Sequence, residues 1–581
     1  MNTRSIRKKW LPACWLGGIC LLATAGLAEL LNSSRIPDAT AGRAVASDSV
    51  KGDSQRTAST GESVLVERGR VLFTRQCALC HGETGEGAGR FAYLMNPRPR
   101  NLQKGRFKLA TTQNMIPSDE DLLRTITRGM PGSSMPPWGH LPQSDLKALV
   151  AFVRKIHVDA VAAELKHGVE EGTFAASEVA ELLAERTQPG PPIVVPTEPP
   201  FDDLRWFNGR RIYLEACASC HGVDGHPVAE AVKFDEEGYP VPPRSFVNGI
   251  FKGGADGRSL YIRTLKGIPG TPMPASEGNY TDDEFWDLIH YVQSIPSAGS
   301  QDRAQLRQGT FSAARVAKLP QGPTDSAWDQ AKPLYVALTP LWWEDARIEG
   351  LVVQALHDGK ELALRLTWLD PSPDDRAVRV DEFRDAVAVQ FALSTDPPFY
   401  MGDSNQHGGV NIWMWKADRQ KNIASGYQDM NAAFPDAAVD MYMESAIRSD
   451  DMSRVDWPVG PITEHHPQFV TAWGAGNLVA DPTLTTPVEC LTARGPGTLA
   501  GKPPSFQIVQ GQSSYDRGVW SVQLQRTLDL PCEHASGTNG DAERVFKSGD
   551  FLPVSFAVWN GNAGDRDGKK NISIWQKLVI E

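Results

Sequence analysis

Cysteine is scarce in this chain. Its 581 residues include eight, of which two lie in an apolar N-terminal stretch and four in a pair of short motifs. The remaining two are Cys490 and Cys532, which we expect to pair as a disulfide in an oxidising compartment, with two buried free thiols as the alternative. Positive charge is in deficit as well. The net charge of −11 argues against nucleic acid as a partner.

The chain also lacks the usual signatures of a catalytic site. The sequence contains no phosphate-binding loop, no visible nucleophile with a neighbouring base and no evident acid–base pair. Its C-terminal half has no Cys-x-x-Cys-His motif and no evident metal cluster. These absences argue against a catalytic role for the chain itself.

Two Cys-x-x-Cys-His motifs are the most informative feature that is present. Cys77, Cys80 and His81 form the first motif, and the second lies 140 positions downstream at residues 217–221. This spacing lets two thiols form thioethers with the vinyl groups of one haem, while the histidine ligates the iron. We therefore predict two covalent haems c, held by Cys77 and Cys80 and by Cys217 and Cys220, with His81 and His221 as iron ligands.

The motifs belong to an internal repeat that also predicts the sixth iron ligands. A Gly-x-Pro-Gly segment follows each motif. The first copy offers Met130 and Met135, whereas the second has Ile268 and Met273 at the matching positions. Only Met135 and Met273 recur in both copies, so a ligand role common to the two copies selects these methionines. Their thioether sulfur favours ferrous iron. Three further histidines do not recur and are interpreted as surface or structural groups: His140, His226 and His290.

The repeat and the shifts in composition define the expected domains. Each copy ends in an amphipathic helical pattern, and Phe107-Lys108 recurs as Phe251-Lys252. The predicted segments are a signal peptide or membrane anchor at 1–31, a flexible linker at 32–62, cytochrome c domains at 63–157 and 203–297, a helical then proline-rich linker at 158–202, a second linker at 298–325 and a β region at 326–581.

The N-terminal stretch sets the expected compartment. Basic residues precede an apolar run from Trp10 to Leu31, which is typical of an export signal. An uncleaved membrane anchor is the alternative, because the run is almost long enough to span a bilayer. Haem c is generally attached outside the cytoplasm, so the leader and the motifs agree on a periplasmic protein.

The C-terminal half changes to a β pattern. Leu351–Leu356 and Leu362–Trp368 flank an Asp-Gly turn and predict a hairpin, and further short strands are expected at 386–393, 410–415, 519–524, 554–559 and 572–578. We therefore predict a multidomain fold, with two mainly α cytochrome c domains followed by an all-β antiparallel sandwich.

Several spaced motifs in this half resemble one family. The segments that carry the resemblance are 364–371, 385–391, 397–403, 410–417 and 556–575. They are similar to the haem-b-binding gamma subunit of ethylbenzene dehydrogenase, a family whose relatives serve selenate, chlorate, dimethyl sulfide and nitrite oxidoreductases. The resemblance covers about residues 326–581.

The resemblance implies a third cofactor and a set of partners. A non-covalent haem b would lie between Met401 and Lys570, with Lys569 as a close rival for the second ligand. The lysine must lose its proton to bind iron, which desolvation and the ferric charge both favour. The family further implies iron–sulfur and molybdopterin partner subunits, with a soluble cytochrome or a membrane oxidase as the redox partner of the haems c. The expected role is an electron-transfer subunit.

Two other functions are open at this stage. The sandwich can instead be a haem-free module that binds carbohydrate or protein, with Trp413, Trp415, Trp457 and Trp473 as its ligand face. The alternative for these tryptophans is core packing. A stand-alone dihaem peroxidase is the third possibility, but methionine ligation at both irons leaves no open position for a substrate.

Overall fold

The computed structural model describes residues 54–394, 408–426, 485–495, 497–529 and 545–581, together with a few single positions between these ranges. Side chains are described from residue 61 onward. The expected leader, Met401, Trp457, Trp473 and Cys532 lie outside the described residues. No described helix combines the length and apolar character that crossing a membrane requires.

Two helical domains come first along the chain, and their mainly helical character confirms the prediction. The helices of the first domain and of the segment after it are α1 (Ser54–Gln76), α2 (Ala78–His81), α3 (Asp119–Arg128), α4 (Gln143–Glu170) and α5 (Val179–Thr187). Those of the second domain are α6 (Asp203–Ala216), α7 (Ala218–His221), α8 (Gly257–Lys266) and α9 (Asp282–Ser294), with the two-residue strands β1 (Lys233–Phe234) and β2 (Pro240–Val241). A short helix α10 (Ser300–Ala304) follows.

The first and last helices of each domain cross at a glycine. A Cβ atom on Gly69 would lie 2.0 Å from the carbonyl oxygen of Ala148, and one on Gly209 would lie 1.9 Å from that of Asp287. No other residue permits such an approach, because only glycine lacks a Cβ atom. The two glycines therefore bring the Cys-x-x-Cys-His turn, which follows directly, into the same relation to the last helix in both domains.

The segment between the two domains packs on the first of them. Helix α4 runs on to Glu170, and α5 follows after a turn, so the helical part of the predicted linker at 158–202 consists of the end of one helix and a second helix. In the proline-rich stretch beyond, the Ile193 N–H donates to the Thr111 carbonyl at 2.8 Å. The Gln113 N–H donates to the Pro191 carbonyl at 2.9 Å. This stretch is thus held against the first cytochrome domain along part of its length.

One large sheet forms the C-terminal region. Its strands are β3 (Thr310–Arg315), β4 (Leu334–Ala337), β5 (Thr339–Pro340), β6 (Gly350–His357), β7 (Glu361–Leu369), β8 (Ala386–Ala392), β9 (Val410–Lys416), β10 (Val488–Ala493), β11 (Ala500–Gly501), β12 (Gln510–Asp516), β13 (Val519–Thr527), β14 (Phe551–Trp559), β15 (Asn571–Ile572) and β16 (Gln576–Ile580), and helix α11 (Ala417–Ser425) follows β9. The main strand order is β11-β10-β9-β8-β14-β16-β3-β6-β7-β13-β12.

The sheet bends so that its two ends face each other. Trp415 of β9 lies 5.1 Å, between ring centroids, from Trp520 of β13, although these strands are far apart in the strand order. The inward side chains of both halves form one buried core. The sandwich prediction is therefore confirmed in its layers.

Three details of the C-terminal region differ from the prediction. The pairing is mixed, because β3 lies between β16 and β6 and runs parallel to both, while the other described strand pairs of the sheet are antiparallel. β3 also falls inside the stretch 298–325, which the sequence analysis assigned to a linker. This short strand has no hairpin neighbour, and only pairing with strands distant in sequence identifies it. The single strand expected at 572–578 is divided into β15 and β16.

The two described tryptophans of the expected ligand face lie in this core. Trp413 and Trp415 are both 0% exposed and point inward from β9. The interpretation of these two residues as a ligand-binding surface is therefore wrong. Alternation along the strand places their indoles on the core side, where truncating such a residue costs about 3–5 kcal/mol.

Candidate haem sites

The first Cys-x-x-Cys-His motif forms a helical turn that opens onto a cavity. Residues predicted to hold haem share its lining, namely Cys77, Cys80, His81 and Met135. Met95 and Trp138 contribute apolar walls. The structure thus brings together the four residues that the motif and the repeat predicted, although they come from separate elements.

His81 is oriented by a backbone hydrogen bond. Its Nδ1 lies 3.0 Å from the carbonyl oxygen of Arg100. A carbonyl can only accept, so Nδ1 carries the proton and Nε2 keeps the lone pair that iron requires. Burial lowers the pKa of His81, which favours the neutral ring. The residue fits an axial haem ligand.

The two thiols of this motif are buried. Burial raises the pKa of Cys77 and of Cys80 to about 12, so neither is a thiolate at neutral pH. An uncharged thioether suits such a site, and these cysteines therefore fit covalent attachment of a haem.

The methionine loop of the first domain folds back on itself. The Met130 N–H donates to the Met135 carbonyl at 3.1 Å, and the Ser133 hydroxyl donates to the Met130 carbonyl at 2.7 Å. Gly129 has a φ of 72°, which favours glycine at the end of α3. The loop places Met135 in the cavity beside the motif, and Met130 also contributes to the lining.

The second domain repeats this geometry. The Ile268 N–H donates to the Met273 carbonyl at 3.2 Å, and the Thr271 hydroxyl donates to the Ile268 carbonyl at 2.8 Å. His221 Nδ1 lies 3.0 Å from the carbonyl oxygen of Arg244. Phe246 stacks on the His221 ring with a centroid distance of 4.3 Å. Burial raises the pKa of Cys217 to about 11, as it does for the thiols of the first motif.

The other three histidines have structural or surface settings. His290 is buried, with Nε2 3.3 Å from Glu198 Oε1. His140 is exposed and lies 5.8 Å from the Trp138 ring centroid. His226 is exposed. None of them lines the cavity of the first motif.

Lys570 and Lys569, the rival candidates for the haem b ligand, lie in different environments. Lys569 Nζ is 2.5 Å from Glu344 Oε1 and donates to the Ala563 carbonyl at 2.5 Å. Lys570 Nζ instead lies 5.0 Å from the ring centroid of Trp559, and burial lowers its pKa to about 8. A lysine that must lose its proton to bind iron is expected in the second environment.

An apolar cluster lies on the opposite face of the sandwich from the core, near Lys570. Small and apolar side chains of β8, β9, β10 and β14 form it, with Trp559 and Trp575 at its side. These strands also have apolar inward faces, so β8 and β9 are buried almost throughout. Met401, the other predicted haem b ligand, lies outside the described residues.

The first cytochrome domain packs on the sandwich next to Lys570. The Ser134 hydroxyl donates to the Leu341 carbonyl at 3.1 Å, and the Leu341 N–H donates to the Lys570 carbonyl at 3.0 Å. Cys80 packs against a small apolar cluster that includes Ile572 and Ala557. Two hydrogen bonds therefore connect the neighbour of Met135 with Lys570.

The arginines of both haem c sites were not predicted from the sequence. Arg100 orients His81 through its carbonyl group, and Arg244 does the same for His221. A signal for them was present, because each arginine precedes the repeated Phe-Lys pair by the same seven positions. The differing spacing from the histidines, 19 and 23 residues, hides the correspondence.

The fold and these sites define a haem-carrying electron-transfer protein with two c-type cytochrome domains in front of a β-sandwich. Comparison with family models agrees. The cytochrome c oxidase cbb3-type subunit III model matches residues 64–153, the cytochrome c model matches 207–296, and the ethylbenzene dehydrogenase model matches 325–571. The C-terminal region of this chain is thus similar to the ethylbenzene dehydrogenase family.

Three relatives confirm the expected resemblance. A haem subunit ascribed to a respiratory nitrate reductase of Haloferax mediterranei is 26% identical, over 44% of this chain and 67% of its own length. The dimethylsulfide dehydrogenase subunit gamma of Rhodovulum sulfidophilum is 25% identical, over 54% and 89%. The chlorate reductase subunit gamma of Ideonella dechloratans is 23% identical, over 44% and 77%. The names of these relatives describe one haem subunit and two gamma subunits.

Proposed function

We propose that this chain is an exported, periplasmic subunit that carries two covalent haems c and one non-covalent haem b. In this proposal it exchanges electrons with molybdopterin and iron–sulfur subunits on one side, and with a soluble cytochrome or the respiratory chain on the other. The relatives support the proposal, because their names describe subunits of reductases and a dehydrogenase. The N-terminal segment supplies the export signal or an anchor.

The residues have distinct roles in this proposal. Cys77, Cys80, Cys217 and Cys220 hold the haems c covalently, with His81, Met135, His221 and Met273 on the irons. Met401 and Lys570 hold haem b. When bound, the haems supply one-electron chemistry, while the chain sets their separation and surroundings.

The contact between the first cytochrome domain and the sandwich carries the proposal. Ser134, adjacent to Met135, and Lys570 both hydrogen-bond to the backbone of Leu341. Ser134 is 3% exposed, so this connection excludes water. It supports the order haem b, first haem c, second haem c, with the sandwich facing the oxidoreductase partner.

The environments of the two lysines support Lys570 as the ligand. Its pKa of about 8 leaves a sizeable neutral fraction near neutral pH, whereas an ordinary lysine at about 10.4 has almost none. Lys569 is engaged by Glu344 and by a backbone carbonyl, so its amine already has two partners. The core position of Trp413 and Trp415 removes two of the residues on which a carbohydrate-binding function rested.

A haem count on matched variants tests the proposal. The purified full-length chain is expected to show two haems c and one acid–acetone-extractable haem b in a pyridine haemochrome assay. Lys570→Leu is expected to lose the extractable haem and keep both haems c, because only a non-covalent group depends on the lysine ligand and leucine has no donor atom for iron. Lys569→Leu is the control and is expected to retain all three.

Two results would contradict parts of this proposal. Absence of extractable haem from the freshly purified chain would refute the haem b assignment, and loss in Lys569→Leu but not in Lys570→Leu would transfer the ligand role to Lys569. Export is measured separately by fractionating cells that express the full chain. Haem-stained protein confined to the cytoplasmic fraction would contradict the periplasmic location.

A further inference from the structure

Four cationic residues meet where the two cytochrome domains pack together. Arg100 and Lys108 come from the first domain, and Arg244 and Lys252 occupy the corresponding positions of the second. Each arginine orients the iron-ligating histidine of its own domain through its carbonyl oxygen. The repeat has thus placed two copies of one cation pair at a single interface, which we term the cation cluster.

Each arginine of the cluster reaches the methionine loop of the other domain. Arg100 Nη2 donates to the Pro269 carbonyl at 3.0 Å, in the loop that carries Met273. Arg244 lies against the loop that carries Met135, since a Cβ atom on Gly132 would be 3.3 Å from Arg244 Nε. The cation cluster therefore lies between the two predicted haem sites and belongs to both.

The positive charges of the cluster are close enough to oppose one another. Burial, followed by the charges of Arg100 and Arg244, lowers the pKa of Lys108 to about 8. Lys252 is only 9% exposed, and burial and the same neighbours hold its pKa well below the ordinary range. Like charges buried together are costly unless anions compensate them.

The carboxylates nearby compensate this charge only in part. Arg100 Nη1 pairs with Glu236 Oε1 at 2.7 Å, and Glu236 is also shared with Arg106. Asp235, Glu237 and Asp345 act from farther away. Among the described residues, no carboxylate lies within 4.0 Å of the side-chain nitrogens of Lys108, Lys252 or Arg244. Buried donor atoms without a hydrogen-bond partner include Nε of Arg100 and both Nε and Nη1 of Arg244.

The cluster opens onto the haem cavity. Arg100 and Lys108 line the same cavity as Cys77, His81 and Met135. A haem attached there brings two propionate carboxylates, and guanidinium and ammonium groups are the natural partners of carboxylates. By the repeat, Arg244 and Lys252 stand in the same relation to the haem of the second domain.

We propose that the propionates of both haems c bind to this one shared cluster of Arg100, Lys108, Arg244 and Lys252. The proposal rests on the two covalent haems of the proposed function and does not depend on haem b. The shared cations raise the reduction potentials of both haems together, because positive charge beside a haem disfavours the ferric state. Removing a cation from either domain is then expected to change the reduction potentials of both haems.

Redox titration of single-charge variants tests this proposal. In Lys252→Gln, both haem c steps of a spectroelectrochemical titration are expected to shift to lower potential than in the unchanged chain. Lys108→Gln is expected to shift both steps in the same way. Lys147→Gln removes an exposed lysine of α4 and is expected to shift neither. Lys252→Arg, which keeps the charge, is expected to retain the original potentials.

If Lys252→Gln and Lys108→Gln each shift only one of the two haem c steps, the shared cluster is refuted. The absence of any shift in either variant would refute it as well. Each variant is first checked for two covalent haems by pyridine haemochrome, so that a folding defect is recognised. If one of the two lysine variants fails this check, the other provides the test. A chain with two haems c, no haem b and joint shifts would refute the haem b assignment while supporting the cluster. Failure of the haem c assignment, on which the cation cluster depends, would be seen as a missing haem c in the pyridine haemochrome spectrum.

Discussion

The haem c sites of the two cytochrome domains and the region around Lys570 in the sandwich differ in how far apart in the chain their residues lie. Each haem c site depends on a five-residue turn and one methionine loop, and the chain contains the same arrangement twice. The region around Lys570 is assembled from β8, β9, β10 and β14, strands that span residues 386–559. A contiguous motif survives as a unit when the surrounding chain changes, whereas a site assembled from distant strands depends on the whole fold. The first kind can be duplicated, and the second occurs once among the described residues.

The largest test of this comparison removes one contiguous motif. The double variant Cys217→Ala with Cys220→Ala is expected to lower covalent haem from two per chain to one, because no thiol of the second motif remains to form a thioether. Haem staining and the pyridine haemochrome spectrum measure the result. Ser219→Ala changes an exposed residue between the same two cysteines and is expected to keep both haems. Loss of the extractable haem b together with the second haem c would show that the two halves are not independent.

A smaller effect separates the two methionines of the first loop. Met135→Leu is expected to lower the potential of one haem c by about 0.1 V or more, because a thioether ligand stabilises ferrous iron. Met130→Leu changes a residue of the same loop and is expected to leave that potential nearly unchanged, since the second copy has Ile268 there. Potentiometric titration followed in the visible spectrum distinguishes them. The reverse outcome would assign the ligand role to Met130 and would break the correspondence between the two domains.

The smallest expected effect concerns a carboxyl pair within the sandwich. Asp370 and Asp385 are both 0% exposed, with carboxyl oxygens within 4.8 Å of one another. Burial raises the pKa of Asp385 to about 7 and that of Asp370 to about 6; the charge of Asp370 raises the pKa of Asp385 further, and the charge of Asp374 raises that of Asp370. The folded state thus keeps a proton that the unfolded chain releases near pH 4. The contribution of this pair to stability is fully present at low pH and declines as pH rises from about 4 to 7, by at most about 1.4 kcal/mol per pH unit for one shared proton.

Asp370→Asn is expected to flatten this dependence, because the remaining Asp385 no longer faces a like charge. Denaturant unfolding of the sandwich between pH 5 and pH 8, followed by tryptophan fluorescence, measures the slope. Asp516→Asn removes an exposed carboxylate and is expected to keep the slope of the unchanged chain. An unaltered slope in Asp370→Asn would show that the pair does not hold the proton.

The same contrast explains which parts of the structure could be predicted from the sequence. The start of α9 is written in the sequence itself as a capping box of Thr281 and Glu284, which the structure contains, because capping involves residues three positions apart. The hairpin of β6 and β7 followed from a turn and two alternating segments. β3 was missed, since its partners β16 and β6 are fixed only when the sheet closes. The side of β9 on which Trp413 and Trp415 lie was likewise left open between a ligand face and the core.

The sequence by itself determined the two haem c motifs, the methionine of each loop, the helical frame of the cytochrome domains and the family of the sandwich. These features depend on neighbours along the chain, so spacing alone expresses them. Only the tertiary structure decided that Arg244 reaches the loop of the other domain, that Lys570 is desolvated while Lys569 is ion-paired, and that Ser134 connects to Lys570 through Leu341. Burial and electrostatic environment arise from residues far apart in the chain, and they exist only once the domains have packed.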